Sequence, residues 1–122
     1  MEPKNKERLI GVKFNDKNLL IQAFTHRSYI NENRVTKLKH NERLEFLGDA
    51  VLELVTTEFL YDKFPNRNEG ELTAIRAALV NTITISEVSS ELGFNNELLL
   101  SKGEAKDTGR ARQAILANTF EA

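Results

Sequence analysis

The amino-acid sequence predicts an all-α fold. Apolar residues recur at intervals of three and four along most of the chain, which is the spacing of one buried helix face. No two segments show the alternation of apolar and polar residues that a pair of strands would require. Two prolines, Pro3 and Pro65, punctuate the chain, and it carries no internal repeat, low-complexity tract or Gly/Ser linker. A chain of 122 residues has the usual length of one domain.

The first 40 residues are predicted to form two short helices and a loop. Residues 6–11 form the first helix, and Asp16 has the side chain of an N-cap for the second. One face of that second helix is apolar, and it carries Leu19, Leu20, Ala23 and Phe24. Residues 25–29 close this helix, and the polar residues 31–39 are predicted to be a loop.

A long helix is predicted from about Asn41 to Phe64, where Pro65 stops it. The next helix begins near Glu69 and has apolar residues at helical spacing, which are Leu72, Ile75, Leu79 and Ile83. Residues 82–85 also have strand propensity, so that part of the helix competes with a strand.

The end of the chain is predicted to be more irregular. Gly93 suits the C′ position of a helix that ends at Leu92. Residues 98–100 are predicted to form a short helix, residues 101–109 a polar loop, and residues 110–122 a final helix.

Composition excludes several classes of protein. The apolar fraction is 40% and the charged fraction 29%, which is typical of a soluble globular domain. The absence of cysteine excludes a disulfide framework and a thiolate metal site. The N-terminal residues lack the apolar core of a signal peptide, and no apolar run reaches the roughly 20 residues of a membrane span, so we expect a cytoplasmic protein that does not enter a membrane. A net charge of −1 excludes a polycationic nucleic-acid binder, so any nucleic-acid site must be local.

The long helix carries three carboxylates on one side. At 100° per residue, Glu42, Glu45 and Asp49 lie within about 60° of one another. The opposite side is apolar and is expected to pack against the core, through Leu44, Leu47, Val51, Leu54 and Val55. No Lys or Arg follows these carboxylates at i+4, so the like charges are not relieved within the helix. By spacing alone a solvated acidic face is the commoner interpretation, and a site for a hard cation such as Mg²⁺ or Mn²⁺ is the alternative.

Gly48 interrupts the same segment. A glycine inside a helix costs about 1 kcal/mol relative to alanine, so its presence calls for a reason. It is tolerated where another group approaches the backbone closely, and it is equally frequent in ordinary helix packing. Both interpretations of Gly48 stay open at this point.

Residues 41–49, NERLEFLGD, resemble the signature of the ribonuclease III family. Further blocks along the chain resemble the family as well, namely residues 25–28 (THRS), 68–73 (NEGELT), Arg76, 79–81 (LVN), 102–104 (KGE) and 115–122 (ILANTFEA). The resemblance covers nearly the whole chain. It implies the endonuclease domain of that family, an all-helical bundle that forms a homodimer and cuts double-stranded RNA, with one acidic centre in each subunit.

The resemblance also implies roles for individual residues. The metal ligands fall on Glu45, Asp49, Asn118 and Glu121, and the catalytic residues are Asp49, Glu121 and Glu45. Glu42 and Glu69 match acidic positions that support the site and the substrate. Phe46 matches an aromatic side chain that inserts into the partner subunit; a core phenylalanine is the alternative, but Phe46 lies beside the acidic column on the helical wheel, which favours the interface.

The implied chemistry is metal-dependent hydrolysis of a phosphodiester, leaving 5′-phosphate and 3′-hydroxyl ends during the processing of ribosomal and messenger RNA. Two divalent cations about 4 Å apart, Mg²⁺ with Mn²⁺ as a substitute, would activate water and stabilise the leaving group. Basic residues flank the last acidic helix and either contact RNA phosphates or are solvated surface charges, namely Lys102, Lys106, Arg110 and Arg112. Neither His26 nor His40 is assigned to the catalytic set, because the family needs no histidine for chemistry.

The sequence departs from the family in two respects. Asn118 stands where the family usually has aspartate, which is consistent with a tolerated variant, an inactivated protein or a substitution made to trap a complex. The tolerated variant is favoured, and the alternative function is a domain that binds structured RNA without cutting it. The chain also stops at Ala122 inside a predicted helix, whereas the family's domain continues, so residues 1–122 are expected to be a domain truncated at its C-terminal end and without a double-stranded-RNA-binding domain.

Overall fold

A computed structural model describes residues 3–122 of the chain. Within that range the chain forms eight α-helices, one 3₁₀ helix and a single isolated bridge, between Thr25 and Leu99, which confirms the all-α prediction. In chain order the elements are α1 Pro3–Ile10, α2 Lys17–Ala23, α3 Arg27–Glu32, α4 Glu42–Lys63, α5 Glu69–Leu79, α6 Thr82–Glu91, η1 Phe94–Glu97, α7 Lys102–Lys106 and α8 Arg110–Glu121. None of the helices described here combines the length and the apolar character needed to cross a membrane.

The core lies between α2, η1 and α8. Its buried members are Leu20, Phe24, Phe94 and Leu116. The rings of Phe24 and Phe94 meet edge to face, with centroids 5.0 Å apart, a favourable arrangement for two aromatic quadrupoles. Because α8 packs against α4, α6 and η1, the last helix is held on several sides.

A buried lysine ties the first helix to this core. Lys6 in α1 is only 2% exposed, and its ammonium nitrogen lies 3.2 Å from Glu97 Oε1 in η1. The same nitrogen lies 5.1 Å from the centre of the Phe24 ring, within the range of a cation–π contact. A buried charge is costly unless it is paired, so these two contacts account for the position of Lys6.

The N-terminal predictions are confirmed in part. The Asp16 side chain caps α2 by accepting a hydrogen bond from the backbone N–H of Asn18 at 3.0 Å. Residues 25–29 do not close α2, however, because a third helix, Arg27–Glu32, follows. His26 caps it by accepting from the backbone N–H of Ser28 at 3.1 Å. Histidine is not among the common N-cap residues, so this helix was not predictable from a capping signal.

The long helix ends close to the predicted residues, but the helix after it is divided. The pattern from Glu69 predicted one helix through Ile83, and the structure breaks it at Val80 and Asn81. The Asn81 side chain caps α6 by accepting from the backbone N–H of Thr84 at 2.9 Å. This cap starts a helix over residues whose β-branched side chains favour a strand.

The segment before α8 also differs from prediction. Residues 98–100 are extended rather than helical, because Leu99 exchanges backbone hydrogen bonds with the segment around Thr25: Leu99 N–H donates to Phe24 and His26 N–H donates to Leu99. Residues 101–109 contain a short helix, α7, which the Ser101 hydroxyl caps. Gly93 has a φ of +85°, as expected for a residue that follows a helix end.

Candidate active site at the contact between α4 and α8

Two helices bring the four predicted ligands to one place. Glu45 and Asp49 lie on α4, and Asn118 and Glu121 lie one turn apart on α8, which packs against α4. The contact is close at Gly48: an ideal Cβ at this position would lie 1.5 Å from the carbonyl oxygen of Glu121. Gly48 therefore admits the backbone of α8, which supports the close-approach interpretation of this glycine.

The side of α4 that packs is not the apolar side that the helical wheel indicated. Leu47, Val51, Leu54 and Val55 are 62%, 52%, 67% and 59% exposed, so the predicted packing of this face is wrong for the described residues. Leu44 is the one member of the predicted face that is less exposed, and the other less exposed residues of α4 are Glu45, Gly48, Leu52, Thr56 and Leu60. Glu45 thus lies on the packed side of α4, which removes water from its carboxylate.

Burial and neighbouring charge both act on Glu45. Partial burial raises the pKa of its carboxyl group above the ordinary value, and the nearby charges of Glu42 and Asp49 raise it further. A cation placed beside Glu45 would reverse the effect of those two charges. The carboxylate is therefore held in an environment that favours a positive partner.

The carboxyl group of Glu121 is perturbed more strongly. Burial raises its pKa to about 7, together with a hydrogen bond to the Asp49 carboxyl group and the charges of Asp49 and Glu45. A hydrogen bond between two carboxyl groups needs a proton on one of them, and the raised pKa of Glu121 means that Glu121 carries this proton below neutral pH.

Asn118 completes the cluster. In the amide orientation that satisfies its neighbours, the Asn118 nitrogen donates to Glu45 Oε1 at 3.2 Å and to the carbonyl oxygen of Ala114 at 3.3 Å. The same amide placed the other way round would point its oxygen at these two acceptors. Asn118 therefore links the end of α8 to Glu45 of α4.

The side chains at this site offer carboxylate oxygens and one amide oxygen, which are the ligand atoms that hard cations prefer. Over residues 3–122, no three His, Cys, Asp or Glu side chains are grouped in the manner of a preformed metal site. Instead, Asp49 and Glu121 bond to each other and Glu45 bonds to Asn118. These residues suit a divalent cation for two reasons: their oxygen atoms are the ligands that such ions prefer, and the ion would relieve the repulsion between the carboxylates. Binding would require that Glu121 lose its proton and that the carboxylates turn toward the ion.

Two further acidic residues were predicted to support the site. Glu42 is exposed, pairs with Arg27 Nε at 3.2 Å, and contributes to the field at Glu45. Glu69 is the first residue of α5 and is exposed, but it is not among the charges that act on Glu45 or Glu121.

The predicted basic residues divide into two groups. Lys102, Lys106 and Arg110 are exposed and available to a ligand. Arg112 is only 8% exposed, and its guanidinium donates to Asn95 Oδ1 at 2.7 Å and to the carbonyl oxygens of Glu104 and Ala105 at 2.9 and 3.1 Å. Its prediction as a phosphate contact is wrong, because these bonds direct the guanidinium into the fold, where it anchors α7 to α8.

Sequence reasoning assigned no role to Arg76, which lies beside the acidic centre. Arg76 on α5 lines a polar pocket together with Asp49 and Glu53 of α4. Its Nε lies 3.7 Å from Glu53 Oε1, and its Nη1 donates to Thr57 Oγ1 at 2.9 Å. Its charge was visible in the sequence, but the contact between α5 and α4 that places it next to Asp49 was not.

Comparisons with known proteins agree with the fold. The Ribonuclease-III-like family profile matches residues 16–122. Ribonuclease 3 of Enterococcus faecalis is 54% identical over 117 residues, 96% of this chain and 50% of the relative. Ribonuclease 3 of Bacillus cereus is 53% identical over 113 residues, 93% of this chain and 46% of the relative. The chain thus spans about half the length of the curated relatives it matches.

A solved structure gives the same result at the level of the fold. The nuclease domain of ribonuclease III from Campylobacter jejuni superposes with a TM-score of 0.86 at 40% identity, covering 98% of this chain and 80% of that domain. That protein is described as structurally flexible in a region involved in dimer formation. The profile match, the relatives and this superposition together show that the chain belongs to the ribonuclease III family and carries its nuclease domain.

Proposed function

We propose that this chain is the catalytic domain of a metal-dependent endoribonuclease that cleaves double-stranded RNA and leaves 5′-phosphate and 3′-hydroxyl ends. The observation that carries the proposal is the meeting of Glu45, Asp49 and Glu121 at the contact between α4 and α8, in an environment that raises the pKa of Glu45 and Glu121. Such perturbed carboxyl groups are typical of functional sites. The ribonuclease 3 relatives support this choice of reaction. Precursors of ribosomal and messenger RNA are the substrates that we propose.

The ligands of the metal in this proposal are the carboxylates of Glu45, Asp49 and Glu121, together with Asn118. Divalent cations bound there, Mg²⁺ or Mn²⁺, would supply an activated water and stabilise the leaving oxygen of the phosphodiester. Glu121 must lose the proton with which it hydrogen-bonds to Asp49 before it can ligate. Asp49 hydrogen-bonds to Glu121 and also lines a neighbouring pocket together with Arg76.

Recognition of the substrate is proposed to depend on the shape and charge of duplex RNA. Side chains cannot read the narrow major groove of A-form RNA, so contacts to phosphates and 2′-hydroxyls dominate. The exposed cations Lys102, Lys106 and Arg110 lie on α7 and at the start of α8, the helix that carries Asn118 and Glu121. Phosphate contacts from this segment would offset the repulsion between RNA and the acidic centre.

The functional unit is proposed to be a homodimer, with Phe46 inserted into the partner subunit. Phe46 is 84% exposed beside the acidic residues of α4, and the same helix exposes further apolar side chains at Leu47, Val51 and Leu54, so α4 presents apolar surface of the kind that marks an interface. A buried aromatic anchor contributes about 2–4 kcal/mol to an interface, so Phe46→Ser should weaken the dimer by about 30-fold to 700-fold. Sedimentation velocity over a concentration series measures this change.

Tyr61→Ser is the matched control for this test, since Tyr61 is 71% exposed near the other end of the same helix. It should leave the dimer intact. An unchanged dimer in the Phe46 variant, or equal weakening in both variants, would refute the assignment of Phe46 to the interface.

The proposed activity is tested by incubating the protein with a long RNA duplex and either Mg²⁺, Mn²⁺ or a chelator. We expect scission with both metals, none with the chelator, and products that a ligase requiring 5′-phosphate and 3′-hydroxyl ends can rejoin. Single-stranded RNA and duplex DNA of the same sequence serve as controls and should remain intact. Cleavage that persists in the chelator, or equal cleavage of single strands, would contradict the proposal.

One observation favours a second function. Asn118 provides an amide where a fourth carboxylate would strengthen the attraction for metal, and this would suit a domain that binds structured RNA without cutting it. Retention of Glu45, Asp49 and Glu121 argues against that function, since a binding surface gains nothing from repelling phosphates. Binding of the duplex without scission in either metal would establish the binding function in place of the nuclease.

A further inference from the structure

We propose that Asn118 is a positioning residue whose amide nitrogen holds the Glu45 carboxylate in place while no metal is bound, so that this chain has an assembled metal-free site at the cost of weaker metal binding. The inference deepens the proposed function, because it assumes that these residues form the metal centre. It concerns a different property of the site, namely how the site is held together before the ion arrives.

The first argument is the orientation of the amide. Asn118 lies in the last turn of α8, one turn after Ala114, and its nitrogen donates both to Glu45 Oε1 and to the Ala114 carbonyl oxygen. Both partners are acceptors only, so the reversed amide would place an oxygen against two oxygens. Two acceptors on different helices therefore fix which end of the amide faces α4.

The second argument concerns charge. Glu45 already experiences the negative charges of Glu42 and Asp49, and Glu121 lies in the same cluster. A carboxylate at position 118 would add a negative charge at about the distance of the present 3.2 Å hydrogen bond. The amide replaces this repulsion by an attractive bond to a charged acceptor, which is among the stronger kinds of hydrogen bond.

The same arrangement limits the contribution of Asn118 to metal binding. When the nitrogen faces Glu45, the amide oxygen is directed away from that carboxylate. Rotation of the amide toward an ion would give up both hydrogen bonds at once. The amide also brings no negative charge, and the affinity of oxygen sites for divalent cations rises with the number of charged ligands.

The test compares Asn118→Asp and Asn118→Ala with the wild-type full-length protein at pH 8, by thermal unfolding in chelator and by calorimetric titration with Mn²⁺. We expect Asn118→Asp to lower the melting temperature in chelator by about 5 °C, since it loses a charge-assisted hydrogen bond and gains repulsion. The same variant should bind Mn²⁺ about tenfold more tightly, because it adds a charged ligand. Asn118→Ala should also melt earlier but should not bind Mn²⁺ more tightly.

Gln113→Glu is the control for net charge, because it adds the same charge to α8 on a different face of the helix. It should change neither quantity. A residue with a merely structural role would lower the melting temperature without tightening Mn²⁺ binding, so the opposite direction of the two effects in Asn118→Asp is the diagnostic result.

Two outcomes would overturn the inference. An unchanged melting temperature of Asn118→Asp in chelator would mean that the amide does not hold Glu45. A lowered melting temperature with unchanged or weaker Mn²⁺ binding would mean that the amide stabilises the metal-free site without weakening metal binding. Neither measurement uses RNA, so a protein that fails to cut RNA would contradict the proposed function and leave this result to be judged on its own.

Discussion

Replacing Gly48 with alanine is expected to destabilise the domain by about 2–3 kcal/mol and to disable the acidic centre. The added Cβ would lie 1.5 Å from the Glu121 carbonyl oxygen and 2.5 Å from the carbonyl carbon. Both are backbone atoms, so no side-chain rotation relieves the overlap, and the end of α8 must move away from α4. The Glu121 side chain moves with this backbone, so its carboxyl group is separated from Asp49.

The measurements are urea denaturation and RNA cleavage by the same preparation. Gly70→Ala is the matched control, since a Cβ at Gly70 in α5 meets only the Asn68 side chain, at an ordinary contact distance of 3.5 Å. The control should be neutral or slightly more stable, because alanine favours helix over glycine. Wild-type stability and wild-type cleavage in Gly48→Ala would show that α8 does not approach α4 as closely as described here.

Gly48 illustrates how far the sequence alone could lead. A glycine in the middle of a predicted helix indicated that something approaches the backbone, and the family resemblance placed it in the signature segment. What approaches was not predictable, because the contact is made by a residue 73 positions later in the chain. Local propensity cannot encode such a partner, whereas it did predict α4, since the stop signal at Pro65 is local.

The packed face of α4 could not be predicted for a related reason. The helical wheel counts apolar side chains, and α4 has them all round: Leu52 and Leu60 lie on the packed side, while Val51 and Leu54 lie on the exposed side. Arg112 is a second example: its charge is evident from the sequence, but the three acceptors that bury its guanidinium are not. Burial of a charged or acidic side chain depends on tertiary contacts, and the candidate site consists largely of such contacts.

Replacing Glu121 with glutamine should lower the rate of RNA cleavage by about a thousandfold. The substitution keeps the size of the side chain and removes a charge from the proposed metal site, and loss of a metal ligand removes several kcal/mol of transition-state stabilisation. The comparison is a single-turnover rate with saturating Mn²⁺, with Glu91→Gln as control, since Glu91 is an exposed carboxylate at the end of α6. Equal rates in wild type and Glu121→Gln would remove Glu121 from the catalytic set.

The same substitution should change how stability depends on pH. Since the pKa of Glu121 is raised to about 7, its native carboxyl holds a proton between pH 4.5 and 7 that the unfolded chain has lost. The native state binds more protons there, so this stabilisation is fully present below pH 4.5 and is lost as the pH rises through 7. Without metal, we expect the free energy of unfolding to fall by about 1 kcal/mol between pH 6 and pH 8, which corresponds to about 3 °C in melting temperature. This value is smaller than the full pKa shift implies, because the carboxyl group is partly solvated.

In Glu121→Gln this slope should become smaller without vanishing, because the raised pKa of Glu45 acts in the same direction. With metal present, the stability of the wild type should instead rise with pH. A cation must displace the proton of Glu121, so it binds more tightly as the pH rises. Titration of Mn²⁺ at pH 6 and pH 8, in two buffers of different ionisation enthalpy, measures both the affinity and the proton release. Equal affinity at the two pH values, with no proton released, would mean that Glu121 is ionised before the ion arrives. The proton of Glu121 would then have no part in metal binding.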